Sequence, residues 1–331
     1  MNKHKLKAST AFSLIELSIV ILIVGIIIAG ITQSSRLVRQ SKLKSAQTLT
    51  QSSPVASIKG ISLWLETSLE DSFPSVLDNN SNLAQWNDIN PHSSTKLFAL
   101  PAGGTATSAI TFINEGINGL PSISFTGAAS TTANVLAVST SSSAVSHTPI
   151  VTVSDPNAAN AFTVFMVYKL NGTATSAYTL LYNGIGNANG WGYQKAATTG
   201  ARTVMLNGTG TTLATTNALP TSQEMATIVY NGRTSTSATP ADGITSIYTN
   251  GGTNFTSTTG NNARTGTATV VTQPTLNMYI GGLTGATAGA APTTPWNGLI
   301  SEIIIFDNPL KTQDLRDVAN YLSKKYGITL S

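Results

Sequence analysis

The chain has 331 residues and no cysteine, and only 10% of its residues are charged and 7% aromatic. Without cysteine there is no disulfide framework and no thiolate zinc or iron–sulfur site. Low charge with abundant Ser, Thr, Gly, Ala and Asn excludes the composition of a highly charged helical cytosolic protein and fits an exported, β-rich one with long polar loops.

The formal net charge of +4 is unevenly placed. Residues 1–59 hold eight basic side chains (Lys3, Lys5, Lys7, Arg36, Arg39, Lys42, Lys44 and Lys59) against Glu16 alone, whereas residues 60–331 hold ten basic and thirteen acidic ones. A nucleic-acid-binding body carries its positive charge on the folded part. Here the body is slightly acidic, so its charge does not support DNA as a partner.

Met1 to Ala11 form a short, basic, polar leader. Phe12 to Ile31 is then almost wholly apolar and long enough to span a bilayer, which takes about 20 residues. Its one ionisable side chain is Glu16. A carboxylate in such a run costs about 2.5–3.5 kcal/mol near the helix centre and less near an end, so Glu16 calls for a partner. Two plain readings are a cleaved secretory signal and a simple membrane anchor; the apolar run is long for a signal core of about 7–15 residues. Beyond it, Arg36, Leu37, Val38, Leu43, Ala46 and Leu49 give a partial apolar stripe, and Pro54 predicts a stop. A helix from Phe12 to Ser53 would be about 63 Å long.

Ala11-Phe12-Ser13-Leu14-Ile15-Glu16-Leu17 after a basic leader resembles the processing motif of type IV prepilins and type II secretion pseudopilins. The resemblance implies cleavage by prepilin peptidase between Ala11 and Phe12, N-methylation of Phe12, and retention of the apolar helix as the mature N-terminus. Ala11 replaces the usual glycine. It further implies that Glu16 pairs with the N-terminal amine of a neighbouring pilin subunit during assembly, two charges that neutralise each other only in register. The implied placement is a single-pass precursor in a bacterial inner membrane with its head outside the cytoplasm, passing into an extracellular pilus or a periplasmic pseudopilus.

After a linker at 54–60 the pattern changes to strands. Ile61 to Leu65, Phe162 to Tyr168, Tyr178 to Tyr182, Trp191 to Gln194, Thr203 to Leu206, Ala226 to Tyr230, Ile244 to Tyr248 and Leu276 to Ile280 alternate or run apolar between Gly-, Asn-, Pro- and Thr-rich turns. Many short strands without interleaved helices predict a sandwich or barrel. Two stretches, about 127–160 and 234–272, read as polar surface loops. Trp296 to Phe306 predicts a long strand. Asp307-Asn308-Pro309 then turns the chain into a helix with Thr312 as N-cap, Leu315, Val318, Ala319 and Leu322 as its buried face, Lys324 and Lys325 at its carboxyl end and Gly327 just past it.

Asn297 to Ile303, Phe306 to Leu310 and Tyr321 to Gly327, with Leu63-Trp64-Leu65, Trp86-Asn87-Asp88 and Leu120 to Phe125 upstream, resemble the laminin G-like, concanavalin A-like lectin/glucanase superfamily. The expected organisation is a leader at 1–11, a stalk helix at 12–53, a linker at 54–60 and a β-sandwich head at 61–331. The fold class is a long N-terminal α-helix joined to an all-β jelly roll with a short C-terminal helix.

The Glu-x-Asp-x-(x)-Glu strand of the superfamily's glucanases, which sets two carboxylates for retaining hydrolysis, is missing. The chain is therefore read as a non-enzyme with no catalytic residue, and Glu302 as a structural hydrogen-bonding group. His4, His92 and His147 are dispersed, and no Walker, His-Glu-x-x-His or Gly-x-Ser-x-Gly motif occurs. No cofactor is called for. Calcium is the one ion considered, with Asp78 and Asp88 as oxygen ligands against a plainer role in Asx turns. Trp191, Tyr193 and Trp296 are the candidates for stacking on sugar rings, against a plainer role in the core. The leading expectation is a pilin-like subunit that polymerises through its helix and displays a lectin-like head for adhesion. The alternatives are a minor pilin or pseudopilin whose head binds glycan, protein or DNA, and a tethered glycan-active enzyme.

Overall fold

The computed structural model describes residues 13–127, 134–141, 161–171, 176–184, 189–197, 201–206, 209–214, 222–231, 244–252, 255, 263–267, 278–283 and 293–331. It divides into two compact units, Met1–Lys44 and Ser45–Ser331. The division falls inside the first helix, nine residues before the expected stalk boundary at Ser53, so the last turns of that helix pack as part of the head.

Helix α1 runs Leu14–Gln51. Ser13 and Glu16 close its start as a capping box: the Ser13 N–H donates to Glu16 Oε2 at 2.9 Å, and Ser13 Oγ accepts weakly from the Ile15 N–H at 3.4 Å. The large apolar side chains from Leu14 to Ile31 are 47–86% exposed. It is one helix long and apolar enough to cross a membrane.

The second unit is a sandwich of two eight-stranded antiparallel sheets. Its strands are β1 Ile61–Glu66, β2 Trp86–Asn87, β3 Phe98–Pro101, β4 Ile110–Ile113, β5 Ser122–Thr126, β6 Leu136–Ser139, β7 Ala161–Leu170 and β8 Tyr178–Asn183. There follow β9 Trp191–Lys195, β10 Arg202–Leu206, β11 Thr209–Ala214, β12 Glu224–Asn231, β13 Ile244–Thr249, β14 Ala263–Thr267, β15 Met278–Ile280, β16 Asn297–Phe306 and helix α2 Thr312–Tyr326. The first sheet has the order β14-β13-β12-β7-β16-β5-β4, and β1 pairs the second half of β16; the other sheet has the order β11-β10-β9-β8-β15-β6-β3-β2.

Period-two alternation separates two cores. Leu63, Leu65, Val164, Met166, Ile303 and Ile305 of the first sheet face Leu181, Tyr193 and Val204 of the second. Their neighbours Trp64, Phe165, Val167, Ile304 and Phe306 point to the opposite face, where they meet Leu315, Val318, Ala319 and Leu322 of α2 and Ala46 near the end of α1. Strands β7 and β16 are thus buried on both faces, which explains their near-continuous apolar sequences. Each such side chain removed from water contributes about 1.5–3 kcal/mol.

Three expectations need correction. Thr312 is the first helical residue of α2 rather than its cap; Lys311 holds the extended N-cap position with no side-chain bond. The stretch 127–160 contains β6, whose short apolar run Leu136-Ala137-Val138 is hidden in a Ser/Thr-rich sequence, and 234–272 contains β14 as well as β13. Gly327, in contrast, ends α2 as expected, in the left-handed region at φ 63°.

Candidate functional site

Two buried charge centres organise the head. The first lies on the outer face of the first sheet. Strand pairing sets Glu66 of β1 directly opposite Glu302 of β16, an arrangement of like charges that is unfavourable by itself. Both are covered by α2, whose Lys325 sits between them. The Lys325 Nζ donates to Glu66 Oε2 at 2.8 Å, to Glu302 Oε2 at 2.9 Å and to Thr50 Oγ1 of α1 at 2.7 Å.

The remaining acceptor sites are filled locally. Glu302 accepts from Trp64 Nε1 at 2.8 Å, Tyr321 OH at 2.8 Å and Tyr326 OH at 2.9 Å. Glu66 accepts from the Ser68 N–H and hydroxyl and from Ser72 Oγ at 2.7 Å. Thr50 passes its own proton back to the Ala46 carbonyl at 3.0 Å. Burial would push the Glu66 carboxyl up, but the Lys325 ammonium and the hydroxyl donors outweigh it and hold it below the ordinary carboxylate range. Burial likewise opposes the Lys325 charge, yet Glu302 and Glu66 raise its pKa well above that of a free lysine. The centre is a closed network whose chemistry is to join β1, β16, α2 and the end of α1.

The second centre lies between the sheets, near one end of the sandwich. Arg202 of β10 makes a two-pronged bond to Glu224 of β12, Nε to Oε1 at 2.9 Å and Nη2 to Oε2 at 2.6 Å. Tyr168 of β7, the register partner of Glu224, shares a hydroxyl–hydroxyl bond with Tyr193 of β9. Burial raises the Glu224 carboxyl above its usual range in spite of Arg202. Burial, with Glu224 nearby, raises both tyrosines too. This pair ties one sheet to the other.

The expected ligand residues lie inside this sandwich. Trp191, Tyr193 and Trp296 are at most 1% exposed. Trp191 stacks on Phe162 at 4.2 Å and Trp296 meets Tyr168 edge-on at 5.2 Å. A sugar-stacking ring needs an open face, and these have none; the plainer core reading holds. Asp88 is also buried: its Oδ1 accepts from the Trp64 and Asn90 N–H groups at 2.9 Å, a brace between β1 and the turn after β2. Asp78 lies in a separate turn, where its carbonyl accepts from the Ser81 N–H and hydroxyl. No group of three His, Cys, Asp or Glu able to hold a metal occurs among the described residues. Glu16 caps α1, whereas Ala11 and Phe12 lie outside the described residues. Lys325, read from sequence only as a partner of the helix dipole, is 3% exposed. No sequence signal marked it, because its partners lie up to 275 residues away.

A shallow cleft of about 380 Å³ lies between the end of α1 and α2, lined by Leu49, Ser53, Asn320 and Lys324 among others.

No family model matches the chain, and no curated protein matches its sequence. Among solved structures it is similar to the Trypanosoma rangeli sialidase in complex with sialic acid, at 13% identity and a TM-score of 0.43, covering 81% of this chain and 33% of that one. It is similar to the binding domain of Paraclostridial Mosquitocidal Protein 1, at 10% identity and a TM-score of 0.47, covering 80% of this chain and 52% of that one. A third is the CBM40 domain of the Ruminococcus gnavus IT-sialidase bound to α2,3-sialyllactose, at 16% identity and a TM-score of 0.35, covering 49% and 84%. The chain spans about a third of the length of the sialidase structures it matches. The expectation that the chain is no enzyme is overturned by these neighbours, several of which are glycoside hydrolases, and it is withdrawn. At this identity and with TM-scores of at most 0.47 these matches say nothing further of the chain, whose sandwich is read from its own strand pairing.

Proposed function

We propose that the chain is a pilin-like subunit: α1 holds the precursor in a membrane, then packs against the helices of other subunits, and the lectin-like sandwich is the part displayed. The observation that carries this reading is the unburied apolar surface of α1 from Leu14 to Ile31. Such a surface is removed from water only by lipid or by other apolar helices. The prepilin-type motif around Ala11, Phe12 and Glu16 supports retention of this helix after processing by a prepilin peptidase, with Phe12 as the methylated first residue. A glycan or other surface ligand of the head fits the same reading, but Trp191, Tyr193 and Trp296 do not form its platform.

The capping box gives Glu16 a local role that its assembly role must be separated from. Glutamine at the same position keeps a side chain able to cap but carries no charge to pair with an incoming amine. In cells producing the filament, Glu16→Gln is expected to reduce incorporation at least tenfold while the head stays folded and the precursor stays in the membrane. Wild-type incorporation of Glu16→Gln, or a mature N-terminus beginning beyond Ile31, refutes the reading.

A further inference from the structure

We infer that Arg36 and Arg39 of α1 seat in the anionic headgroups of the membrane on the head side of the apolar span, with Lys42 and Lys44 completing a cationic collar just above them. The inference rests on the membrane reading above and adds a partner to it.

The charge pattern comes first. Between Glu16 and Glu66 the chain has no acidic residue, and four of its basic ones fall within residues 36–44. All four are exposed on continuous helix. Their heights fit an interface. At 1.5 Å per residue, Arg36 stands about 7.5 Å and Lys44 about 20 Å beyond Ile31. The headgroup zone is roughly 5–7 Å deep on each side of a bilayer. Arg36 therefore emerges at headgroup level, and Lys42 and Lys44 lie about one to two Debye lengths, of roughly 8 Å each, above it. Leu37 and Val38 lie among the cations and are 65% and 54% exposed. Interleaved apolar and basic side chains of this kind suit a surface that offers acyl chains just below its charge.

The angular distribution separates a lipid surface from a protein one. At about 100° per residue, with Arg36 at 0°, Arg39 falls near 300°, Lys42 near 240° and Lys44 near 80°. The charges spread over about 200° of the circumference, wider than a single stripe. An acidic face of another protein would meet one side of the rod, whereas a bilayer surface meets every side. Juxtamembrane clusters of four or more basic residues gain by attraction to anionic lipid, and the gain falls away within a Debye length.

The chain lacks cysteine, so Gln40→Cys gives one labelling position within the collar. The full chain carrying a fluorophore there is reconstituted into phosphatidylcholine vesicles with and without phosphatidylglycerol. Flotation reports insertion, and quenching by a headgroup-spin-labelled lipid reports seating. The expected result is flotation with both vesicles and severalfold stronger quenching with phosphatidylglycerol at low salt. That excess should vanish at about 1 M salt, where the Debye length is near 3 Å, and in the combined Arg36→Gln, Arg39→Gln, Lys42→Gln, Lys44→Gln variant. Flotation with equal quenching in both vesicles overturns the collar and leaves the membrane reading standing. An excess that survives the fourfold variant, or that scales with protein-to-lipid ratio because another copy supplies the acid, also overturns it. Failure to float with either vesicle overturns both.

Discussion

The two buried charge centres of the head make an instructive contrast. Arg202 and Glu224 are one cation and one carboxylate held by a two-pronged bond between two sheets. The Lys325 centre is one cation set against two carboxylates, Glu66 and Glu302, with five hydroxyl or indole donors supplying what a second cation would. The environments divide accordingly. Glu224, with one guanidinium, remains above the ordinary carboxylate range because burial wins. Glu66, with an ammonium, two serine hydroxyls and backbone N–H donors, falls below it.

The largest expected effect tests the crowded centre. Lys325→Met leaves two carboxylates facing each other out of water, and denaturant unfolding of the full chain in detergent should show a loss at the upper end of about 3–5 kcal/mol or beyond. With Lys325 gone, burial is no longer outweighed at Glu66 and raises its carboxyl, so the native state binds that proton more tightly than the unfolded one. Part of the lost stability should return as pH falls from neutral toward the ordinary carboxylate range. The wild type should do the opposite. Its Glu66 is held below the ordinary carboxylate range, so its contribution is full above that range and fades as pH falls through the lower folded value. A Lys325→Met chain that weakens on acidification as the wild type does would break the contrast.

Arg202→Met is expected to cost less, near the low end of about 3–5 kcal/mol. One carboxylate is stranded, and Glu224 already tends toward its neutral form. An equal or greater cost than Lys325→Met would reverse the ranking of the two centres. The smallest effect sharpens the first centre from its helix side. Thr50→Val removes one acceptor of the ammonium and should cost about 1 kcal/mol by the same unfolding measurement.

Much of this architecture can be read from the chain. The strands β7, β8, β9, β12 and β16 were marked by runs of Val, Ile, Phe and Tyr between turn residues, and their observed limits lie within two residues of the expected ones at either end. Local preference and period-two alternation act over a few residues, so such elements are visible in sequence. The charge centres are not. Glu66 and Glu302 become opposite partners only when β1 pairs with β16, and Lys325 is distinguished from its neighbour Lys324 only by which side of α2 faces the sheet. Sequence left Trp191 and Trp296 open between sugar stacking and the core for a related reason, since only the closure of the second sheet over the first places them inside.

The bond from Thr50 to Lys325 has a mechanical consequence. Tension applied along α1 would reach β1 through the chain at 52–60, and the Thr50 bond to the ammonium adds a second path that divides between β1 and β16 through two carboxylates. Strand β16 is ten residues long and hydrogen-bonded on both flanks, to β7 on one side and to β5 and β1 on the other. A pull on the rod is therefore shared with the best-anchored strand of the sandwich, where many ladder bonds must fail together before anything yields.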